Sequence, residues 1–434
     1  MRRHFAIAGI CLLLTLGLTV TAAFAEGKTM TRTEDSVIVR GDRLSGAQGW
    51  PIALTRLYRL DGEKATPVPF QIDERLPNNE YALPFGRNKS ADDGKIDGND
   101  ELVFMIKDAG DRGARALLPD GADQVVEITL TDPVNGGKAW LYLLRFPNNP
   151  PPVSPIDYVQ YDNTRTVIDT VRFRMGFHPK APLSIGELVL KPEGGGRGQD
   201  LVDRLKIRFT AKVMGVDLIR NEEDFVSDTI GWIDGPVRIV RRTINQVKIW
   251  KLKSPKAYTD NVYFLNSFEF PTFIEMPFRT DLLISEPRFR VSTDGLCVAA
   301  GRVFSNSNNP AGVKVDGVMS EAENKLNPAP YTWSLVTDPS GKGAWMNRLL
   351  YDAASTKVRP MLYYRDDMKH PDGPEDEAGE CGDLGYTLEN MGTIKSEKLY
   401  LKSILYNIPD YQPARIQEFM NILDRPIKVA AQPL

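Results

Sequence analysis

The sequence has 434 residues, with 54 basic and 57 acidic side chains and a formal net charge of −3. This near balance of charge argues against a general nucleic-acid-binding protein. A chain of this length exceeds one ordinary domain, so we expect two or three folding units. Beyond the N-terminus, no segment approaches the ~20 consecutive apolar residues that a membrane-spanning helix needs.

Residues 1–25 have the pattern of a secretory signal peptide. Arg2 and Arg3 precede a short apolar run that ends at Ala23-Phe24-Ala25, where small residues occupy the positions that determine cleavage. We therefore expect Glu26 to begin the mature protein. We also expect the protein to be periplasmic or secreted.

Two cysteines lie beyond the predicted signal, Cys297 and Cys381. An even number of cysteines in an oxidising compartment favours a disulfide bond between them. Such a bond would close a long loop and could stabilise the fold by about 4 kcal/mol in the chain-entropy description. Two unrelated buried thiols are the alternative.

Residues 26–146 predict a small N-terminal β domain. Gly and Pro separate short apolar runs, residues 124–130 alternate apolar and polar side chains, and residues 140–146 form a strongly apolar strand. No amphipathic pattern of helical length occurs in this region. Residues 147–155 are rich in proline, which lacks the N–H that a sheet interior requires, so they predict a stiff linker.

Residues 156–434 predict a large antiparallel β-sandwich. Several segments alternate apolar residues with cations, as half-buried strands do, and residues 205–209 show this most clearly. Near the end, residues 413–423 place apolar side chains at i, i+3, i+4 and i+7 and predict one helix. The predicted fold class is mostly β, with a small N-terminal β domain, a large antiparallel β-sandwich and one C-terminal helix.

An acidic loop directly before the apolar run at 102–106 is a candidate metal site. Aligned on an EF-hand loop, Gly94 takes the sharp-turn position, but Lys89 and Ala91 fall at the first two ligand positions and exclude a complete EF-hand. The alternative is an acidic turn whose side chains only cap backbone amides. The candidate ligands for a structural calcium ion are Asp93, Lys95 (through its carbonyl), Asp97, Asp100 and Glu101.

Three segments carry a resemblance to a group of secreted bacterial proteins. Val68-Pro69-Phe70-Gln71-Ile72-Asp73, Glu101-Leu102-Val103-Phe104 and Asp234-Gly235-Pro236-Val237-Arg238 resemble a pattern in β-sandwich proteins related to exo-acting rhamnogalacturonan lyases and galactose-mutarotase-like proteins. The resemblance implies a large β-sandwich with carbohydrate in its concave face. It places no catalytic motif of those enzymes on this sequence.

The cation-bearing strands supply a second candidate site. If their arginines share one sheet face, they form a positive surface suited to a uronate polymer, because guanidinium groups bind carboxylates bidentately. The ordinary solvated face of a half-buried sheet is the alternative. The candidate substrate-binding residues are Arg172, Arg174, Arg208, Arg288 and Arg290.

Histidine is scarce: beyond the signal only His178 and His370 occur, and these two or a tyrosine are the candidate acid–base groups. His370 lies in the acidic run Asp366–Asp383, which predicts either a solvated loop or a second cation site beside a pocket. The sequence has no P-loop, no G-x-G-x-x-G after a strand, no H-E-x-x-H and no C-x-x-C. Phosphoryl transfer, dinucleotide use and thiol redox chemistry therefore lack support.

Two functional hypotheses follow. In the first, the protein binds an acidic polysaccharide or degrades it in a lyase-like reaction, with calcium as a structural ion. In the second, it is a non-enzymatic, calcium-stabilised scaffold or interaction protein of the cell envelope. An enzyme should gather a histidine or tyrosine, arginines and a carboxylate in one cleft, whereas a scaffold should present a flat apolar or aromatic patch.

Overall fold

The computed structural model describes residues 26–178, 181–249, 252–253, 256–275, 284–297, 301–351, 358–369, 380–391 and 398–434. Within these residues the fold is mostly β, as predicted, and the strand ladders are antiparallel. Residues 415–424 form an α-helix, close to the predicted 413–423. No helix among the described residues is long and apolar enough to cross a membrane.

The strands up to residue 220 have these bounds: β1 Ser36–Arg40, β2 Thr55–Asp61, β3 Lys64–Pro67, β4 Gln71–Asp73, β5 Glu101–Met105, β6 Gln124–Thr131, β7 Lys138–Arg145, β8 Val159–Asp162, β9 Val167–Thr170, β10 Phe173–His178, β11 Ala181–Leu190, β12 Val202–Val213 and β13 Val216–Arg220. The later elements are β14 Phe225–Asp234, β15 Arg238–Ile249, β16 Leu252–Lys253, β17 Ala257–Phe264, β18 Ser267–Glu275, β19 Ile284–Leu296, β20 Arg302–Asn306, β21 Asn309–Val315, β22 Ser334–Thr337, β23 Ala344–Tyr351, β24 Arg359–Arg365, β25 Glu380–Glu389, β26 Lys398–Ile408, α1 Arg415–Asp424 and β27 Lys428–Pro433. Short 3-10 turns lie at Gly41–Arg43, Ile52–Leu54, Ile106–Asp108, Arg115–Leu117, Pro192–Gly194, Glu222–Asp224 and Glu323–Lys325.

The end of the chain completes the N-terminal region. That region contains a sheet of order β1-β5-β4 and a sheet of order β27-β6-β7-β2-β3. Its edge strand β27 pairs with β6, and Val429 and Ala431 pack against the apolar core beneath. The second unit, predicted to span residues 156–434, therefore contributes its last strand to the first unit.

The proline-rich segment 147–155 contains neither strand nor helix. It lies against the N-terminal region, because the Nε of Arg56 donates a hydrogen bond of 2.5 Å to the carbonyl of Pro151. The backbone N–H of Phe146 donates to the carbonyl of Leu54 just before this segment begins. The predicted linker thus follows the surface of the domain that it leaves.

One large sheet organises the rest of the chain. Its order is β14-β15-β17-β18-β26-β23-β22-β20-β21, with β16 paired to β15. Two smaller sheets, β11-β10-β9-β8 and β13-β12-β19-β25-β24, contribute to the apolar clusters on one of its faces. Tyr263 and Phe268 of the large sheet belong to the first cluster together with Phe173, and Leu401 belongs to the second together with Phe289.

The opposite face, which we call the helix-side face, is covered at two places. Helix α1 packs Phe419 against Ile404 and Tyr406 of β26. At a second place on this face, Val103 of β5 and Val262 of β17 belong to one buried apolar cluster. Because side chains alternate across a strand, the even-numbered residues of β15, β17 and β26 all point to this face.

Candidate functional site

The three segments that carried the family resemblance meet in one buried joint. The side-chain oxygen of Gln71 accepts hydrogen bonds from the backbone N–H groups of Val237 (3.0 Å) and Arg238 (2.9 Å). The side-chain nitrogen of Gln71 donates to both oxygens of Asp73, at 2.8 and 3.0 Å. Gly235 lies so close to the Gln71 amide that a Cβ at this position would overlap it. The sequence pattern therefore corresponds to a structural junction between the N-terminal region and β15.

Arg238 is the centre of this joint. Its guanidinium donates to Asp73 at 2.7 Å and to Glu101 at 2.5 Å, and its side chain is only 1% exposed. Arg75 binds the other oxygen of Glu101 at 2.6 Å. Burial opposes ionisation of Glu101, yet Arg238 and Arg75 outweigh it and hold the pKa of Glu101 below its ordinary value. The joint is thus an ion-pair network with little solvent exposure, in which each charged side chain has an oppositely charged partner.

A groove of about 340 Å³ lies beside this joint, on the helix-side face of the large sheet. Strand alternation builds its floor, because every second residue of three neighbouring strands points into it. The register places Phe273 opposite Tyr400 and Pro271 opposite Lys402. The described residues that line it are Glu80, Tyr81, Arg242, Tyr258, Asp260, Val262, Glu269, Pro271, Phe273, Tyr400 and Lys402.

Exposed aromatic rings distinguish the groove from the rest of this face. Tyr258 is 52% exposed and Phe273 is 50% exposed, although both belong to interior strands of the large sheet. The rings of Phe273 and Tyr400 pack against each other with centroids 4.9 Å apart. The groove therefore presents aromatic rings to solvent on interior strands of the sheet.

Two ion-pair groups flank the aromatic rings. Arg242 binds Asp260 through two hydrogen bonds, of 2.7 and 2.8 Å, and it also donates to Glu80 at 2.9 Å. Lys402 forms an ion pair with Glu269 on the neighbouring strand. The Arg242 pairs also tie the N-terminal segment that contains Glu80 to the sheet.

Tyr81 closes the groove on the side of the joint. Its hydroxyl donates to Glu101 at 3.1 Å, and the guanidinium of Arg75 lies 3.8 Å from the centre of its ring. Burial raises the pKa of Tyr81 well above the ordinary value for a phenol. A phenol with a raised pKa stays protonated at neutral pH, so Tyr81 is unsuited to act as a general base.

Among the described residues, the carboxylates of Asp93, Asp97, Asp100 and Glu101 do not supply a group of three within 4.8 Å of one another. The two oxygens of Asp100 accept the backbone N–H groups of Arg75 and Asp97, at 2.8 and 2.7 Å, and Glu101 belongs to the buried joint. Asp93 accepts the backbone N–H of Lys95 at 2.9 Å. These contacts match the alternative in which acidic side chains cap a turn.

A different acidic group lies beside this turn. In the described part of the chain, three carboxylates lie within 4.8 Å of one another, and they belong to Glu74, Asp92 and Asp93. Glu74 already accepts the backbone N–H of Gly94 at 2.6 Å. Calcium takes six to eight oxygen ligands, so these three carboxylates could supply only part of a site. Calcium binding stays a prediction.

The five predicted substrate-binding arginines do not share one face. Arg172 lies just before β10 and binds Glu34 at 2.6 Å, and Arg174 on β10 pairs with Glu187 at 3.5 Å. The remaining three, Arg208, Arg288 and Arg290, lie on β12 and β19 of a different sheet.

The arginines of that second sheet have their own contacts. Arg208 pairs with Glu222 at 3.5 Å and lies opposite Arg290 in the ladder between β12 and β19. The guanidinium of Arg290 lies 4.3 Å from the centre of the Tyr363 ring, whereas Arg288 is exposed. None of the five is among the described residues of the groove.

The histidines are also away from the described groove lining. His178 lies at the end of β10, where its Nε2 is 3.4 Å from a guanidinium nitrogen of Arg204. His370 falls outside the described residues. Cys297 and Cys381 form a disulfide bond with their Cα atoms 4.8 Å apart, which links two positions 84 residues apart in sequence.

The sequence prediction did not include the groove residues. The signal that could have identified them is the alternation Tyr258-x-Asp260-x-Val262, together with Glu269-x-Pro271-x-Phe273 and Tyr400-x-Lys402. Each of these places aromatic or charged side chains at every second position of a strand, so that they share one face. The sequence does not show that the three segments are neighbours in one sheet.

Comparison with known proteins gives no family assignment. No protein-family model matches the chain, and no curated protein matches it. Among solved structures, a glycosyl hydrolase family 38 protein from Enterococcus faecalis is 11% identical with a TM-score of 0.47, and the match covers 94% of this chain and 46% of that one. An α-mannosidase from Enterococcus faecalis V583 is 10% identical with a TM-score of 0.45, over 94% of this chain and 45% of that one. The chain spans less than half the length of either protein, and a likeness at this level carries no functional argument.

Proposed function

We propose that this protein binds a carbohydrate chain in the groove of the large sheet. The observation that carries the proposal is an aromatic platform, formed by the exposed rings of Tyr258 and Phe273 and the half-buried ring of Tyr400 and flanked by carboxylates and cations. The C–H faces of a sugar ring are apolar and pack well against an aromatic face, whose quadrupole attracts their slightly positive hydrogens. The sugar hydroxyls can in turn form charge-assisted hydrogen bonds with groups such as Asp260 and Glu269.

Shape favours this proposal over the scaffold hypothesis. A scaffold that binds another protein is expected to present a broad, flat apolar patch. The groove is instead concave, and its volume of about 340 Å³ lies within the range of small-molecule sites. Its polar groups converge from both the sheet and the N-terminal segment that contains Glu80.

The proposal is binding, and two of the groups considered as the base of a lyase are poorly suited or poorly placed. A lyase needs a base beside the substrate, and the raised pKa of the Tyr81 phenol makes it unsuitable. His178 contacts Arg204, and it is not among the described residues that line the groove. Export to the periplasm or the medium, expected from residues 1–25, is compatible with a polysaccharide ligand and remains a prediction.

The test is a binding screen of oligosaccharides and polysaccharides by calorimetry, followed by substitution of the platform. We expect Phe273→Ala and Tyr400→Ala each to weaken binding about tenfold, because each removes an aromatic face from the ligand. Tyr351→Ala is the matched control: Tyr351 is an exposed tyrosine of β23 opposite Leu401, and alternation points it to the other face of the same sheet. Equal affinities in the wild type and both platform variants would remove the groove from this proposal.

A further inference from the structure

We infer that the groove selects neutral saccharides and disfavours chains of uronate residues. This inference rests on the proposed function and concerns the charge of the ligand at the same site. It differs from the expectation raised by the cation-bearing strands, which favoured an acidic polymer. The argument depends on how the charges of the groove are already paired.

Arg242 has little capacity left for a ligand carboxylate. Its Nε and one terminal nitrogen bind the two oxygens of Asp260, at 2.7 and 2.8 Å, in the bidentate geometry that a uronate would need. Its other terminal nitrogen donates to Glu80 at 2.9 Å. These bonds use three of the five N–H donors, and a uronate could take the side-on bidentate position only by displacing Asp260.

Lys402 is held in the same way. Its ammonium group pairs with Glu269, and the two side chains are 25% and 20% exposed. Among the described residues that line the groove, Arg242 and Lys402 are the only cations, whereas Glu80, Asp260 and Glu269 are acidic. The described lining therefore carries one more negative than positive charge, which repels an anionic ligand.

A neutral sugar meets no such penalty. Its hydroxyl groups can donate to the free lone pairs of the paired carboxylates, while the existing ion pairs stay intact. The side chains of Asp260 and Glu269 keep partial exposure, so these lone pairs are accessible from the groove. The same carboxylates that attract hydroxyl groups thus exclude uronates, as expected of a site that discriminates by like-charge repulsion.

The experiment compares two ligand sets of equal length by calorimetry. The neutral set contains gluco-, manno- and galacto-oligosaccharides, and the acidic set contains galacturonate and mannuronate oligomers. We expect the best neutral ligand to bind at least about tenfold more tightly than any acidic one. Absence of binding in both sets would contradict the proposed function itself, whereas tighter binding of the uronates would leave that function standing and overturn this inference.

A substitution then tests the physical cause. Glu269→Gln keeps the shape of the side chain and releases Lys402 from its partner, so we expect the ratio of uronate to neutral affinity to rise about tenfold. Asp260→Asn weakens the bidentate pair with Arg242, so the ratio of uronate to neutral affinity should rise here as well. The second variant keeps the test usable if the first fails to fold. Glu187→Gln is the matched control, because it releases Arg174 on another sheet. An unchanged ratio in both groove variants, or the same rise in the control, would contradict the inference.

Discussion

Arg238 and Arg242 lie four residues apart on the same face of β15, yet they occupy two different environments. Each binds two carboxylates: both partners of Arg238 come from the N-terminal region, whereas Arg242 binds Glu80 from that region and Asp260 from the large sheet. The Asp73 side chain that Arg238 binds is 2% exposed, whereas the Glu80 side chain that Arg242 binds is 55% exposed. The same chemistry therefore serves two purposes: the buried pairs of Arg238 fix two parts of the fold together, and the partly exposed carboxylates that bind Arg242 remain accessible to a ligand.

Removing Arg238 should produce the largest effect on stability. Arg238→Ala would leave the buried carboxylate of Asp73 without its counter-charge, so we expect the free energy of unfolding to fall by about 3–5 kcal/mol. Arg242→Ala removes a pair whose partners remain solvated, and we expect a loss of about 1 kcal/mol or less. Urea denaturation of both variants measures the difference. Equal losses would show that the two environments are energetically alike.

Gly235→Ala should have the next largest effect. A Cβ at this position would overlap the side chain of Gln71, which holds the backbone N–H groups of Val237 and Arg238. We expect the free energy of unfolding to fall by about 1–3 kcal/mol. Gly27→Ala is the control, because a Cβ there meets no atom within 4 Å. A Gly235→Ala variant with the same free energy of unfolding as the wild type would mean that the joint tolerates displacement of Gln71.

Acid should weaken the joint through Glu101. Burial raises its pKa, but Arg238 and Arg75 lower it more, so the folded pKa lies below the ordinary value of 4.5. A carboxylate with a depressed folded pKa contributes stability above the unfolded value, and this contribution is lost as the pH falls through the folded pKa. We therefore expect the stabilisation contributed by Glu101 to decline below about pH 4.5, whereas Asp73, whose pKa is raised by burial, contributes in the opposite direction.

A substitution assigns this acid sensitivity. Glu101→Gln should make the decline shallower, as measured by urea denaturation between pH 3 and pH 7. Glu34 should account for part of the remaining decline, since burial raises its pKa but the hydrogen bond from Arg172 and other contacts lower it more. An unchanged pH profile in the Glu101→Gln variant would contradict the assignment.

Calcium should have the smallest effect. If the ion binds beside the acidic turn, the proximity of Glu74, Asp92 and Asp93 predicts that Asp93→Asn removes any rise in Tm on adding calcium. Asp97→Asn should keep that rise, because Asp97 is not in the group. We expect the rise to be a few degrees at most, at about 1 kcal/mol of stabilisation. The same response in the wild type and Asp93→Asn would exclude Asp93 as a ligand.

The fold could be predicted from local patterns, because period-two alternation and proline placement act over a few residues. The strand at 205–209 and the helix near 413–423 are both present in the structure. The pairing of β27 with β6 could not be predicted in this way, because it joins segments about 300 residues apart in sequence, and the chain alone does not specify register over that distance.

The candidate site was harder to predict than the fold. The sequence pattern identified Gln71, Asp73 and Arg238 as notable, and the structure places them in a buried joint rather than at a reactive centre. The predicted arginines failed to form one surface because alternation defines a face only within one sheet, and Arg174 and Arg208 belong to different sheets. The groove depends on neighbouring strands that are far apart in sequence, such as β18 and β26.

A crystal structure of the protein with its best-binding neutral oligosaccharide tests the central claim most directly. We predict electron density for a sugar ring against the faces of Phe273 and Tyr400, with hydroxyl groups within hydrogen-bonding distance of Asp260 or Glu269. The ion pairs of Arg242 and Lys402 should remain intact in that complex. Sugar density at another surface, with an empty groove, would contradict the account.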